Sequence, residues 1–379
     1  MKKRKNTFGA LSLKNAPNDT FGLLSLTGGS SATPPVNTVA PSVSGTAVVG
    51  QTLTTTNGTW TNTPSGYTYQ WYRGVTPIGT NSSTYVLVQA DAGQNIKCNV
   101  TATNSAGSVN ADSNTLAILA TVLDLYTSAT VAYSTRLLRG AFYSSSALRV
   151  RRSSDNTELN IGFTTAGNLD TATMLTFCGA GNGFVVTWYD QSGNANNATQ
   201  STPSNQPQIV SSGALVTVNS KVAMSFNGSS HHFILGTGLN YATSHLYLAV
   251  LKRDASARRV LGMGDTSTNA YLCTLWNDNK FYLQGATTGY ITSTGTDTTT
   301  SQLLLTGQAV SATQSLYKNS SVITTSLTAL SLGTSINAIG RYATNYSFGY
   351  SQEVIFYNTD KSASRTAIES NIISHYGIV

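Results

Sequence analysis

Residues 148–163, LRVRRSSDNTELNIGF, and residues 179–194, GAGNGFVVTWYDQSGN, carry the reading of the fold. In the first run Leu148 and Val150, then Leu159, Ile161 and Phe163, alternate with Arg149, Arg151, Asn160 and Gly162, as a pleated strand with one buried face requires. Ser153, Ser154, Asp155 and Asn156 supply the turn between the two strands. From Phe184 through Val185, Val186 and Thr187 to Trp188 and Tyr189 the chain is β-branched and aromatic, the composition of a largely buried strand. It ends on Asp190, Gln191, Ser192, Gly193 and Asn194, which gather side-chain oxygens on a loop and suit either a tight turn or a ligand.

A chain of 379 residues suggests two or three domains. Only 10% of it is charged, and its 19 Tyr outnumber its 11 Phe. That balance fits β-sandwiches whose exposed faces carry neutral hydroxyl and amide groups. No G-x-x-x-x-G-K-[ST] and no strand-linked G-x-G-x-x-G occurs, which argues against a phosphate cradle. More than half of the net charge of +7 comes from Lys2, Lys3, Arg4 and Lys5, so a nucleic-acid role is disfavoured. Cys98, Cys178 and Cys273 are odd in number and widely spaced, giving neither a disulfide framework nor a zinc pattern. The basic start has no apolar run behind it, so no signal peptide and no membrane insertion are expected. The protein should be made in a cytoplasm and reach the outside by another route, such as lysis of a host.

Residues 1–29 repeat a short unit, with Phe8, Leu11 and Leu13 returning as Phe21, Leu24 and Leu26. Segments this short cannot bury their own apolar groups, so docking onto a partner's surface is expected; a disordered tail is the alternative. Residues 30–41 form a Ser/Thr/Pro linker. Residues 42–119 show short strands punctuated by Gly and Asn-Gly turns. Residues 120–379 form a larger β unit. In it 133–138 and 169–177 are helical candidates, the second capped by Asp170, and Ser362 caps a last helix carrying Ile368, Ile372, Ile373 and Tyr376 on one face up to Gly377.

Two resemblances sharpen this division. Gln70-Trp71-Tyr72, Ala90-Asp91-Ala92-Gly93 and Val100 to Asn104 resemble bacterial immunoglobulin-like repeats, with Trp71 as the core tryptophan. Arg149-Val150-Arg151-Arg152, Ser154-Asp155 and Trp188 to Asn194 resemble the catalytic-domain family of arabinofuranosidase B, a concanavalin-like sandwich. Similar blocks occur in virion proteins of tailed bacteriophages, where they look like adhesion modules. Phe226-Asn227-Gly228-Ser229 and 353–358 look like segments of laminin-G-like and concanavalin-like lectin domains. The expected fold is therefore all-β: an immunoglobulin-like sandwich, then a larger jelly-roll sandwich, with an extended N-terminal anchor and a short C-terminal helix.

Hydrolysis of a glycoside usually takes two carboxylates, about 5–5.5 Å apart in retaining and about 6.5–9.5 Å in inverting enzymes. In the arabinofuranosidase family the nucleophile glutamate lies downstream of the Trp-Tyr motif, yet between Asp190 and Glu353 this chain has none. Asp254, Asp265, Asp278 and Asp297 remain. The resulting expectation is a non-enzymatic bacteriophage virion protein, docked to other virion proteins through residues 1–29 and presenting the large sandwich to host-surface polysaccharide. A structural capsid or tail decoration protein and a polysaccharide-degrading glycosidase are the alternatives, and a homo-oligomer is open. Candidate glycan-binding residues are Trp188, Asp190, Asn194, Trp276, Asn277, Asp278 and Tyr342, which combine ring faces with directed polar groups. No cofactor is expected; calcium at Asp190 and Asn194 is the one alternative, because hard oxygen ligands suit it.

Overall fold

The computed structural model describes residues 32–240, 242–255, 258–266, 271–284, 290–326 and 336–379. The expected docking residues Phe8, Leu11, Leu13, Phe21, Leu24 and Leu26 lie outside the described residues.

The first lobe is an immunoglobulin-like sandwich. Its long strands Gly66–Arg73 and Asn95–Asn104 pair antiparallel, setting Trp71 opposite Cys98. From Ile96 to Ala102 every second residue is buried, and Ile96, Cys98 and Val100 pack with Leu53, Trp71 and Leu87. Beneath this core sits Asp91, fully buried, which accepts hydrogen bonds from Arg73 Nε (2.7 Å), Tyr85 Oη (2.9 Å) and the amide of Val88 (2.8 Å). Three donors offset the cost of burying that carboxylate.

The second lobe is two packed sheets. One runs in the order Val131–Ser134, Phe348–Tyr357, His245–Arg253, Leu303–Val310, Thr313–Lys318 and Ser321–Ser326. The other runs from Glu158–Ile161 through Leu148–Arg152, Gly183–Trp188, Ala198–Thr199, Phe233–Leu239, Ile336–Ile339, Val260–Gly264 and Tyr271–Leu275 to Phe281–Gln284 and Tyr290–Thr292. Gln208–Ser211 and Met224–Asn227 bridge the two along one side. Tyr247, Ala249, Leu251, Leu305, Val354 and Phe356 point between the sheets, where they meet Trp188, Phe226 and Phe233.

The first sheet is covered on its outer face too. Leu246, Leu248, Val250, Leu304, Ile355 and Tyr357 pack against Ile368, Ile372 and Tyr376 of the helix Arg365–Tyr376 and against the short helix Val122–Leu125. That is why 246–251 reads as an unbroken apolar run rather than an alternating one. The helix ends on Gly377 in the left-handed region, as expected, but begins after Ser364, since the amide of Ser362 bonds to Asp360 Oδ1 (2.8 Å) in the preceding turn. The helix expected over 133–138 is instead the strand Val131–Ser134, paired Val131 to Phe356 through Ser134 to Glu353. The helix after Asp170 forms over Thr171–Cys178, with Asp170 accepting from the amide of Thr173.

The lobes touch. Gln89 Nε2 of the first donates to Asp124 O of the second (2.6 Å), and within the second the Asp124 carboxylate accepts from the amide of Gly140 (2.9 Å).

A buried ion pair closes the large sandwich. Glu353 accepts from Arg136 Nε (2.8 Å) and Nη2 (3.0 Å), Ser134 Oγ (2.7 Å) and Tyr376 Oη (3.1 Å), and Arg136 Nη1 donates to Asn371 (2.9 Å). Burial alone would raise the Glu353 carboxyl, but the Arg136 charge and these donors hold it below its usual range. Removing one partner leaves the other charge uncompensated. Glu353→Gln or Arg136→Met is expected to cost about 3–5 kcal/mol in urea unfolding; a loss under 1 kcal/mol would refute this account.

Burial also pushes all four imidazoles, His231, His232, His245 and His375, below their usual value, His375 to about 4. Folded, they stay neutral where the unfolded chain takes up protons. Stability should therefore be lost as pH falls from about 6.5 toward 4. A melting temperature that stays level between pH 7 and pH 5 would contradict it.

Candidate functional site

The Asp190 loop is fastened to the neighbouring backbone. Asp190 is buried, and its oxygens accept from the amides of Ala132 (2.9 Å), Ser192 (2.9 Å) and Asn196 (3.1 Å) and from Ser192 Oγ (2.7 Å). Burial pushes this carboxyl upward against those four donors. Gln191 binds Leu138 N (2.8 Å) and Arg136 O (3.0 Å), and Asn194 Nδ2 donates to Thr130 O (2.9 Å). Gly193 takes φ +102°, and a Cβ there would lie 2.6 Å from Arg139 Nη1, so the turn needs glycine.

This geometry bears on two of the roles expected of the run. Around Asp190, named with Asn194 as a calcium candidate, stand N–H and O–H donors, and Asn194 Nδ2 is spent on the carbonyls of Ala129 and Thr130. Trp188 is not a sugar platform: it is fully buried between Tyr133 and Phe233, at ring distances of 5.7 and 6.0 Å. The outward ring is Tyr189, whose hydroxyl donates to Asn160 (3.0 Å) beside a groove of about 380 Å³. Period-two alternation carried that signal, since a buried Trp188 sends its successor to the other face.

The remaining candidates meet farther along the same sheet, beyond Phe233–Leu239. Trp276 follows the strand Tyr271–Leu275, and Tyr342 follows a strand that crosses close to Gly264, where a Cβ would lie 2.4 Å from Arg341 O and 3.1 Å from Tyr342 Cβ. The two half-buried rings meet edge to face, centroids 5.9 Å apart. Beside them Asn227, Ser229, Arg258, Arg259, Asn277, Tyr346 and Phe348 line an open cavity of about 370 Å³. Asp278, on the turn after Asn277, is exposed and accepts from Tyr282 Oη (2.6 Å).

Arg258 lies over the Phe348 ring (5.0 Å), Arg259 over Trp276 (5.4 Å) and Arg341 over Tyr346 (5.4 Å). His232, kept neutral by burial, donates from Nδ1 to Ser230 O (2.7 Å), which leaves Nε2 to accept from Arg341 Nη1 (3.3 Å). Sequence reasoning missed Arg258, Arg259 and Phe348. The adjacent arginines were the available signal, because two like charges side by side need a reason.

Of the four aspartates open to acid–base work, Asp297 is ion-paired with Lys318 and Asp265 is buried at the end of Val260–Gly264. Asp254 and Asp278 are exposed next to the cavity: Asp254 N donates to Phe348 O (3.3 Å), and Asp278 follows Asn277. Among the described residues no group of three His, Cys, Asp or Glu could hold a metal ion.

A family model described as "Alpha-L-arabinofuranosidase B, catalytic" matches residues 123–277, less than half of the chain. No curated protein matches by sequence. A GH54 α-L-arabinofuranosidase soaked with a cyclic sulfate inhibitor is similar in fold at 17% identity and a TM-score of 0.50, over 66% of this chain and 64% of that one. An arabinofuranosidase complexed with arabinofuranosyl-α-1,2-xylobiose gives 17% identity and a TM-score of 0.49 over the same shares. A Trypanosoma rangeli sialidase gives 13% identity and a TM-score of 0.37, over 88% of this chain and 53% of that one. The chain thus spans under two thirds of the length of these structures. The family match, to the catalytic domain of a glycosidase, overturns the expectation of a non-enzymatic virion attachment protein, and with it the tail-fibre and capsid-decoration readings.

Replacing Asp190 by Ala would strand three backbone amides. A loss of about 2–3 kcal/mol in thermal unfolding is expected, with the same loss in calcium and in chelator. Stabilisation of the unsubstituted protein by calcium that Asp190→Ala removes would overturn this assignment.

Proposed function

We propose that the large sandwich is a glycoside hydrolase acting on arabinose-containing polysaccharide, with the cavity lined by Arg258, Arg259, Asn277, Tyr346 and Phe348 as its sugar site. The family-model match over residues 123–277 carries the reading. The cavity supports it through the Tyr346 and Phe348 rings for the apolar side of a sugar ring, and through the Asn227, Asn277 and Ser229 side chains for its oxygens.

Cleavage needs one carboxyl group to protonate the leaving oxygen and another to attack the anomeric carbon or activate water. Asp254 and Asp278 fill these roles in the proposal, standing in for the glutamate that residues 191–352 lack. The Tyr282 hydroxyl on Asp278 and the Tyr350 hydroxyl on Asp254 (3.4 Å) would orient the two groups.

Incubation with arabinan and arabinoxylan should release new reducing ends. Asp254→Asn and Asp278→Asn should each lower the rate about 10²–10⁴-fold with the near-ultraviolet circular dichroism unchanged. No release at stoichiometric protein, or full activity in both variants, would sink the proposal.

A further inference from the structure

The cavity beside Trp276 gathers three arginines; elsewhere Arg139, Arg151 and Arg253 are held by neutral acceptors, Ser192 O, Gln206 and Asn156, and Thr299 O and Asn279. Arg73, Arg136, Arg149, Arg152 and Arg365 each pair with a carboxylate. Arg258, Arg259 and Arg341, gathered at this one place, have no carboxylate within ion-pair distance among the described residues.

Each of the three is instead held by an aromatic ring and, for two of them, by carbonyls. Arg259 Nε donates to Tyr346 O (3.3 Å) and Arg341 Nε to Ala343 O (3.0 Å). These contacts leave both terminal nitrogens of Arg259 without a partner among the described residues, and Arg258 is exposed. Burial, and then the neighbouring Arg258 charge, push the Arg259 guanidinium below its usual range. An anion placed between the two arginines relieves that repulsion. The exposed side chain of Asn277, on the same wall, is a further donor for such a group.

We propose that this cavity selects acidic sugars, with a uronate carboxylate received by Arg258 and Arg259 while the sugar ring lies against the Tyr346 and Phe348 rings that line it. The planar carboxylate matches the guanidinium fork and can accept two parallel hydrogen bonds from it. The ring stacking that holds each arginine keeps its fork pre-set, so less rotamer freedom is lost on binding. This inference rests on the reading of the cavity as a sugar site and adds the charge of its ligand.

The test is calorimetry on the full chain with tri-galacturonate, its methyl ester, a sulfated trisaccharide, a neutral arabino-oligosaccharide and single-stranded DNA. Tri-galacturonate should bind saturably, at least tenfold tighter than its methyl ester, and weaken as salt is raised. Arg259→Gln and Arg258→Gln should each lower its affinity tenfold or more. Equal binding of acid and ester, or binding of the neutral oligosaccharide alone, overturns the acidic-sugar assignment and leaves the hydrolase proposal standing. Tighter binding of the sulfated sugar overturns the uronate assignment. Binding of DNA with no saccharide bound overturns both proposals.

Discussion

The buried pair of Arg136 and Glu353 ties together the parts of the large sandwich that depend on one another. Arg136 follows the strand Val131–Ser134, and Glu353 lies within Phe348–Tyr357, the strand paired with it. Tyr376 reaches the same carboxylate from the covering helix and lies under the Arg136 guanidinium at 5.6 Å. A charge pair in an apolar interior is weak evidence of net stability, since desolvation offsets much of the attraction. Its value here is directional. Four donors converge on one carboxylate, and that arrangement is met only when strand, strand and helix are in register.

The Trp-Tyr-Asp-Gln-Ser-Gly-Asn run extends the same constraint. Its polar side chains go to the backbone of residues 129–138: Asp190 to Ala132, Gln191 to Arg136 and Leu138, and Asn194 to Ala129 and Thr130. The motif that makes the sequence look like a catalytic domain is therefore spent on construction. It satisfies irregular backbone that would otherwise be buried unpaired. The proposed chemistry falls to loops at the far end of the same sheet, in keeping with a fold that fixes architecture while its sites vary.

How much was legible follows from this division. The hairpin over 148–161, the strand ending at Trp188, the Asp170 cap and the Gly377 stop are local patterns with local causes, and the structure has them. The strand Val131–Ser134 was mistaken for a helix because every residue in it is buried, so no period-two pattern marks it; only its distant partner strand decides. The sugar site was half legible. Trp276, Asn277 and Tyr342 were visible as ring and amide groups, but Arg258 and Arg259 gain meaning only when folding brings them beside rings from residues 276 and 348. Trp188 was misassigned because an aromatic next to a polar loop looks exposed, whereas strand parity sends it inward.

The pairing of Val131–Ser134 with Phe348–Tyr357 also bears on the order of events during synthesis. Arg136 and Glu353 are 217 residues apart in the chain, and Ser134 and Tyr376 are 242 apart. Contacts this remote close late and slowly, because a long loop must be ordered before they form. While a ribosome is still making the intervening strands, Val131–Ser134 has an unpaired edge, and Leu246, Leu248 and Val250 lack the helix that covers them. The nascent sandwich is thus a sticky, open-edged sheet until its last strand and helix emerge. The fold is completed from its end back to its beginning.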